Sequence, residues 1–212
     1  MSGKLAWEQQ THSLWDGGLL STGGNLVVRG DAAGYLSVYA ADTGKLLKKI
    51  DVGTSLMASP MTYRVGGVQY LSVMAGSGGG MMALPFPKDS AAYRYGNEGR
   101  IVTFRLDGGA TPKPPPVSEP VLAPRPPREG SPAQIAQGEV LYSRFCGRCH
   151  AFGRGLLPDL RRMSPATQQM FYEIVLNGAY SAKGMARWDD VISRGEAQAI
   201  HAYLVDQIWQ LN

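Results

Sequence analysis

Eight of the chain's 14 prolines fall between Pro112 and Glu129, and that cluster sets the first limit on the fold. Proline locks φ near about −65° and has no N–H to donate. The stretch can therefore form neither helix nor central strand, and is expected to run as extended polyproline or irregular coil. The 212 residues are divided by it into two bodies of different character, 1–111 and 130–212, with 112–129 as the linker.

The second body contains both cysteines of the chain, in Cys146-Gly147-Arg148-Cys149-His150. C-x-x-C-H is the attachment signature of a covalent c-type haem. Two thiols at that spacing reach the two vinyl groups of one porphyrin, and the next residue offers an imidazole to the iron. A thioredoxin-like redox pair has no need of the His, and a zinc site needs further ligands at short spacing. Haem iron that only carries electrons is usually six-coordinate, so a second axial ligand is expected downstream. Met163, Met170, Met185 and His201 are the candidates. Met185 lies in Lys183-Gly184-Met185-Ala186-Arg187-Trp188, an irregular stretch between two helical patterns and a suitable carrier for a ligand that crosses the haem face. Met163 follows too soon after the His150 side. Met170 reads as a core side chain of a periodic run, and His201 as a packing or solvated residue of the last helix.

Three helices are expected around this motif. Ser131-Pro132 and Ser164-Pro165 each place a capping hydroxyl before a proline at the first helical position. Apolar residues follow the first at Ile135, Val140, Leu141 and Phe145, and the second at Met170, Phe171, Ile174 and Val175, ending at Asn177-Gly178. Ser193 with Glu196 has the spacing of a capping box, and Ile200, Leu204 and Ile208 continue it as an apolar stripe. A bound haem would supply much of the apolar core that so short a segment lacks.

Residues 18–107 read instead as short strands between Gly-rich turns: Leu26–Gly30, Tyr35–Tyr39, Gln69–Val73 and Arg100–Phe104. Ala41-Asp42-Thr43-Gly44-Lys45 is a tight connection between two of them.

Residues from about 132 to 209 resemble a small class I cytochrome c domain. Gly138 and Tyr142 match the first-helix positions that pack on the last helix, and Ala202-Tyr203-Leu204 matches the partner. Leu157-Pro158-Asp159-Leu160 is similar to the loop whose proline carbonyl accepts the hydrogen bond of the proximal imidazole, which implies that role for Pro158. Arg161 is implied as a partner for a haem propionate. The first body resembles the last blades of a quinoprotein alcohol dehydrogenase propeller, on Trp15-Asp16-Gly17-Gly18, the Thr43-Gly44-Lys45 turn, Ser59-Pro60-Met61-Thr62-Tyr63, Val65-Gly66-Gly67-Val68-Gln69-Tyr70 and Ala75-Gly76-Ser77-Gly78-Gly79. Together the two bodies resemble the C-terminal part of a soluble quinohaemoprotein alcohol dehydrogenase. The resemblance implies a partial all-β propeller fragment followed by an all-α cytochrome. It further implies haem c here, and pyrroloquinoline quinone with calcium in the full-length relative. Met57 and Ala58 fall where relatives line the quinone pocket. Lys48 and Ser77 stand where the family commonly has tryptophans that anchor its blades.

A propeller ring typically takes 4–8 four-stranded blades, more than 1–111 can supply, so catalytic residues are expected elsewhere. The missing propeller portion, or a complementing chain, is the implied partner. A blue copper protein, a cytochrome or a quinone is the implied redox partner. The expected function is electron transfer from reduced quinone to such an acceptor. A self-standing monohaem carrier with a β-rich docking module and a non-functional gene fragment are the alternatives. Net charge is +4 with no basic run or aromatic-interleaved basic face, which argues against nucleic acid. Nothing approaches about 18 consecutive apolar residues, and Met1–Trp7 has no apolar signal core. Since c-type haem is attached outside the bacterial cytoplasm, a periplasmic location is expected, with the signal lying upstream in a longer parent.

Overall fold

A computed structural model of the chain describes residues 3–11, 17–78, 84–119 and 121–211. Of the segments read from sequence, Trp15, Asp16, Gly79 and Pro120 lie outside the described residues. The chain forms two compact units, Met1–Met81 with Phe86–Ser118, and Met82–Pro85 with Glu119–Asn212.

The first unit holds two antiparallel sheets. One is a four-stranded meander of β1 (Leu19–Thr22), β2 (Leu26–Gly30), β3 (Tyr35–Ala40) and β4 (Leu46–Asp51). The other has three strands, β5 (Met61–Val65), β6 (Val68–Ala75) and β7 (Arg100–Arg105), with a short helix α1 (Ala91–Tyr95) between the last two. Alternation along the strands sends Val28, Leu36, Val73 and Ala75 to one core, shared with Val52 and Leu56 from the connection. Leu71, Val102 and Phe104 pack against that core from the second sheet. Strand β5 is exposed throughout, and Met74 and Ile101 face outward beside it.

Strands β2, β3, β6 and β7 fall where the sequence pattern puts them, and the Ala41–Lys45 turn joins β3 to β4 as read; the bounds of β4, and strands β1 and β5, were not foreseen. In β4 the residues from Leu46 to Lys49 are all exposed, and in β5 every residue is. With no buried face there is no period-two signal to read. Lys48 sits on that exposed strand, yet the corner does have an indole. Trp7 packs over Gly44, lies tilted against Tyr39 with ring centroids 6.1 Å apart, and donates from Nε1 to the Ala41 carbonyl at 2.8 Å. Ser77 is buried, and its backbone N–H donates to Asn97 Oδ1 at 2.6 Å.

The second unit consists of α2 (Pro132–Leu141), a π-helical turn at Tyr142–Cys146, α3 (Pro165–Gln169), α4 (Phe171–Val175) and the long α5 (Arg194–Trp209). All three serine caps are formed: Ser131 accepts from Gln134 N, Ser164 from Thr167 N, and Ser193 closes a capping box with Glu196. Helix α2 lies directly on α5. A Cβ on Gly138 would collide with the Ala199 carbonyl and crowd the Tyr203 Cβ, so only glycine lets the backbones approach this closely. Tyr142, Phe171, Val175, Ile192, Ile200, Tyr203 and Leu204 fill the core.

Two apolar residues depart from the expected stripes. Val140 is 68% exposed on the outer side of α2. Met170, expected in the core, is 39% exposed because the helix breaks at it: its φ of −87° and ψ of 3° end α3 and begin α4.

The proline segment is fixed in place by both units. Residues 112–118 belong to the first, where Arg100 donates to the Pro112 carbonyl at 3.0 Å and Val117 N to Arg94 O at 2.8 Å. Residues 121–129 form a strap on the second. Trp209 Nε1 donates to the Pro126 carbonyl at 2.9 Å, and the guanidiniums of Arg125 and Arg128 lie 5.3 and 4.9 Å from its ring. Among its described residues the expected linker 112–129 contains no helix or strand and is mostly exposed, Val121 at 97%, with these polar contacts as its attachments.

Candidate haem site

The attachment motif grows out of the end of α2. The π-helical turn, closed by Gly147 N to Tyr142 O at 2.7 Å, widens the coil just before the motif. Cys149 N and His150 N then both donate to Cys146 O, at 3.0 and 2.8 Å, which curls the two thiols and the imidazole onto one compact turn. Both thiols are half-buried and unpaired. Burial, aided by the neighbouring Cys149 thiol, pushes the Cys146 thiol up to about 12.

His150 Nδ1 lies 2.9 Å from the Pro158 carbonyl. A carbonyl only accepts, so this contact makes Nδ1 the protonated nitrogen and leaves the Nε2 lone pair for a metal. The bond fixes the ring plane and raises the imidazole's basicity. From the other side, the Tyr142 hydroxyl donates to the His150 carbonyl, and burial raises the Tyr142 phenol well above its ordinary range. Tyr142, Phe152 and Tyr203 form a cluster of rings, Tyr142 and Phe152 stacked at 4.9 Å.

The residues present fit a haem on two counts. The donor set is a thiol pair with one imidazole whose free nitrogen is defined by its partner. Around it Phe145, Cys146, Phe152, Leu160, Met163, Tyr172 and Trp188 pack on the helical core while remaining only partly buried, an apolar wall for a planar macrocycle.

Arg161, expected at a propionate, is engaged elsewhere. Its Nη2 and Nε donate to Asp159 at 2.6 and 3.0 Å, and its guanidinium lies 4.3 Å from the Phe152 ring. Among the axial candidates, Met163 closes the short turn Leu160–Arg162 and packs on the core. Met170 sits at the surface. His201 is buried with both nitrogens engaged, Nδ1 at 2.5 Å from Glu129 and Nε2 at 2.8 Å from Gln168 Oε1. Met185 is half-buried in a loop pinned by Met185 N to Tyr180 O at 3.2 Å and Trp188 N to Val175 O at 2.9 Å. Met57 and Ala58 are half-buried in the first unit. No group of three or more His, Cys, Asp or Glu that could hold a metal is gathered among the described residues.

Asp159 is the residue that sequence reasoning passed over. Its side chain is 3% exposed and accepts from Gly153 N at 2.8 Å, from Arg161 N at 3.0 Å and from the Arg161 guanidinium. Burial would raise its pKa. The Arg161 guanidinium and the two backbone N–H groups outweigh that and lower it. The readable signal was Pro-Asp-x-Arg, a capping carboxylate with a cation two residues on.

Two family models match the chain in succession. Residues 1–71 match the β-propeller domain of glucose, ethanol and alcohol dehydrogenases, and residues 133–204 match subunit III of cbb3-type cytochrome c oxidase. A quinohaemoprotein alcohol dehydrogenase of Pseudomonas putida, ADH IIB, is 38% identical over 98% of this chain. The solved structure of ADHIIG from the same organism superposes on 97% of the chain with a TM-score of 0.84 at 34% identity. That of the Comamonas testosteroni enzyme gives 0.76 at 29%. Along its length the chain matches the C-terminal part of quinohaemoprotein alcohol dehydrogenases. It spans about 30% of the length of these relatives. The propeller match covers the region of the first sheet and much of the second, and the cytochrome match begins one residue inside α2 and ends within α5. A cytochrome c domain implies haem c, and the quinone cofactor belongs to the full-length enzymes. Among the described residues no helix is long and apolar enough to cross a membrane.

Proposed function

We propose that this chain is the haem end of a quinone-dependent alcohol dehydrogenase, passing single electrons from the quinone of the complete enzyme to an external acceptor in the periplasm. The observation that carries the reading is the contact of His150 Nδ1 with the Pro158 carbonyl, on the same turn as Cys146 and Cys149. When bound, haem supplies a one-electron ferric–ferrous couple. Cys146 and Cys149 would hold it covalently, His150 would present Nε2 to the iron, and Met185 would supply the second protein ligand. Pro158 keeps the imidazole ring in one orientation and holds its Nδ1 proton. The ring cluster of Tyr142, Phe152 and Tyr203 excludes water behind the motif. The relatives are alcohol dehydrogenases, so the electron donor in the complete enzyme is an alcohol, and a small copper protein, a cytochrome or a quinone takes the electrons.

Expression with a periplasmic leader and a c-type maturation system tests the reading. The chain should emerge carrying pigment that resists acid–acetone extraction, shows the haem c spectrum as its pyridine complex, and cycles between ferric and ferrous forms with dithionite and ferricyanide. A colourless, correctly folded chain would refute it.

A further inference from the structure

The loop from His150 to Asp159 is bridged by two adjacent rungs. One is His150 Nδ1 to the Pro158 carbonyl at 2.9 Å; the other is Gly153 N to Asp159 Oδ2 at 2.8 Å. Asp159 follows Pro158 directly, so the peptide group carrying the accepting carbonyl is held between a proline ring and an anchored carboxylate. The anchor is strong for its size. All four donors around the carboxylate point inward: Gly153 N, Arg161 N, and Nε and Nη2 of Arg161. Charge-assisted bonds of this kind are the short, strong ones, and here they close in a nearly solvent-free place. Gly153 reaches its rung with φ of +117°, and a Cβ there would meet Pro85 Cβ at 3.0 Å. The Arg161 guanidinium is in turn seated on Phe152, which stacks on Tyr142.

We infer that Asp159 is a positioning residue for the proximal imidazole, holding the Pro158 carbonyl on His150 Nδ1 and so tuning the potential of the haem couple. This rests on the haem-carrying reading above. The direction follows from the chemistry: a well-held Nδ1–H···O=C bond makes the imidazole a stronger donor, which favours ferric iron. Loosening the clamp therefore raises the reduction potential. Arg161 acts through Asp159 rather than on the haem.

The test is Asp159→Asn in the full chain, matured with covalent haem. The amide is nearly isosteric, but whichever way it turns its NH2 faces a donor, either Gly153 N–H or the guanidinium. The ferrous-to-ferric ratio at fixed ambient potential should rise about tenfold, or ~59 mV for one electron, with haem still attached. Arg161→Gln should shift it in the same direction alone and add nothing in the Asp159→Asn background. A further shift in that background would place Arg161 on the haem directly and overturn its assignment. An unchanged potential in haem-loaded Asp159→Asn overturns the inference, whereas failure of the unmutated chain to attach haem overturns the haem reading itself. Should Asp159→Asn not fold, exchange in the unmutated holoprotein decides. The Gly153 amide and His150 Nδ1–H should open to solvent at the same rate, and a Gly153 amide exchanging orders of magnitude faster would refute the clamp.

Discussion

Cys146 and Cys149 are the only thiols of the chain, so covalent attachment has no substitute site. Replacing both with alanine should leave no pigment after acid–acetone extraction; survival of covalent haem would remove the basis of the assignment. For the sixth ligand, Met185→Ala should abolish the weak near-infrared thioether charge-transfer band and lower the reduction potential, since thioether ligation raises it. Met163, the other half-buried methionine among the described residues of the unit, is the control: if its alanine variant loses the band and Met185→Ala keeps it, the ligand is Met163. Asp159 also gives a pH dependence with a defined sign. Its folded pKa is depressed, so its contribution to stability is full above the ordinary carboxylate pKa. That contribution is lost as pH falls through the lowered folded value. In acid denaturation of the holoprotein, Asp159→Asn should flatten that limb of the stability curve and leave the region above about pH 5 parallel to the unmutated chain. At this scale the motif was legible because haem attachment demands five residues in a row. Pro158 entered only through family likeness, and Asp159 stayed hidden because half its donors are backbone N–H groups, which leave no trace in a sequence.

Helix α2 depends on Gly138 and α5 on its cap, and the two respond to substitution for different reasons. Gly138→Ala forces backbone against side chain across the α2–α5 contact and should lower unfolding free energy by about 3 kcal/mol, at the upper end of overpacking costs. Gly195 is the matched control on α5. A Cβ added there would have nothing within 4 Å, so Gly195→Ala should stabilise by about 0.5–1 kcal/mol through helix propensity. Ser193→Ala should cost about 1 kcal/mol by opening the capping box. Denaturant midpoints for the three variants check the signs together. The caps were legible because serine before proline, and serine three residues before glutamate, have one economical use each. The break at Met170 and the outward-facing Val140 were not, since apolar spacing cannot say which side of a helix is already covered. Strand β5 and the bounds of β4 escaped for a related reason: their places in the sheets come from backbone pairing with β6 and β3, not from a buried face of their own.

The molecule as a whole has seven strands in two sheets among its described residues, where a propeller ring takes several four-stranded blades. Alcohol oxidation needs a base, a Lewis acid and an oriented quinone held together. The haem-loaded chain should therefore be reduced by dithionite but not by ethanol with pyrroloquinoline quinone and calcium. Alcohol-dependent reduction of the haem band by the purified chain would show a complete site where only a wall is expected. The sequence reading puts the division between a β body and a helical body in the proline cluster. The units part between Ser118 and Glu119, because the second half of the cluster is bound to α5 by Trp209, Asp206 and His201. That clasp separates cutting from parting. A protease that nicks the backbone between Arg125 and Glu129 breaks one covalent bond, yet the segments on either side stay gripped, one by the Leu211 carbonyl and Trp209, the other by Asp206 and His201. Native electrophoresis would report an intact particle where denaturing electrophoresis reports two pieces.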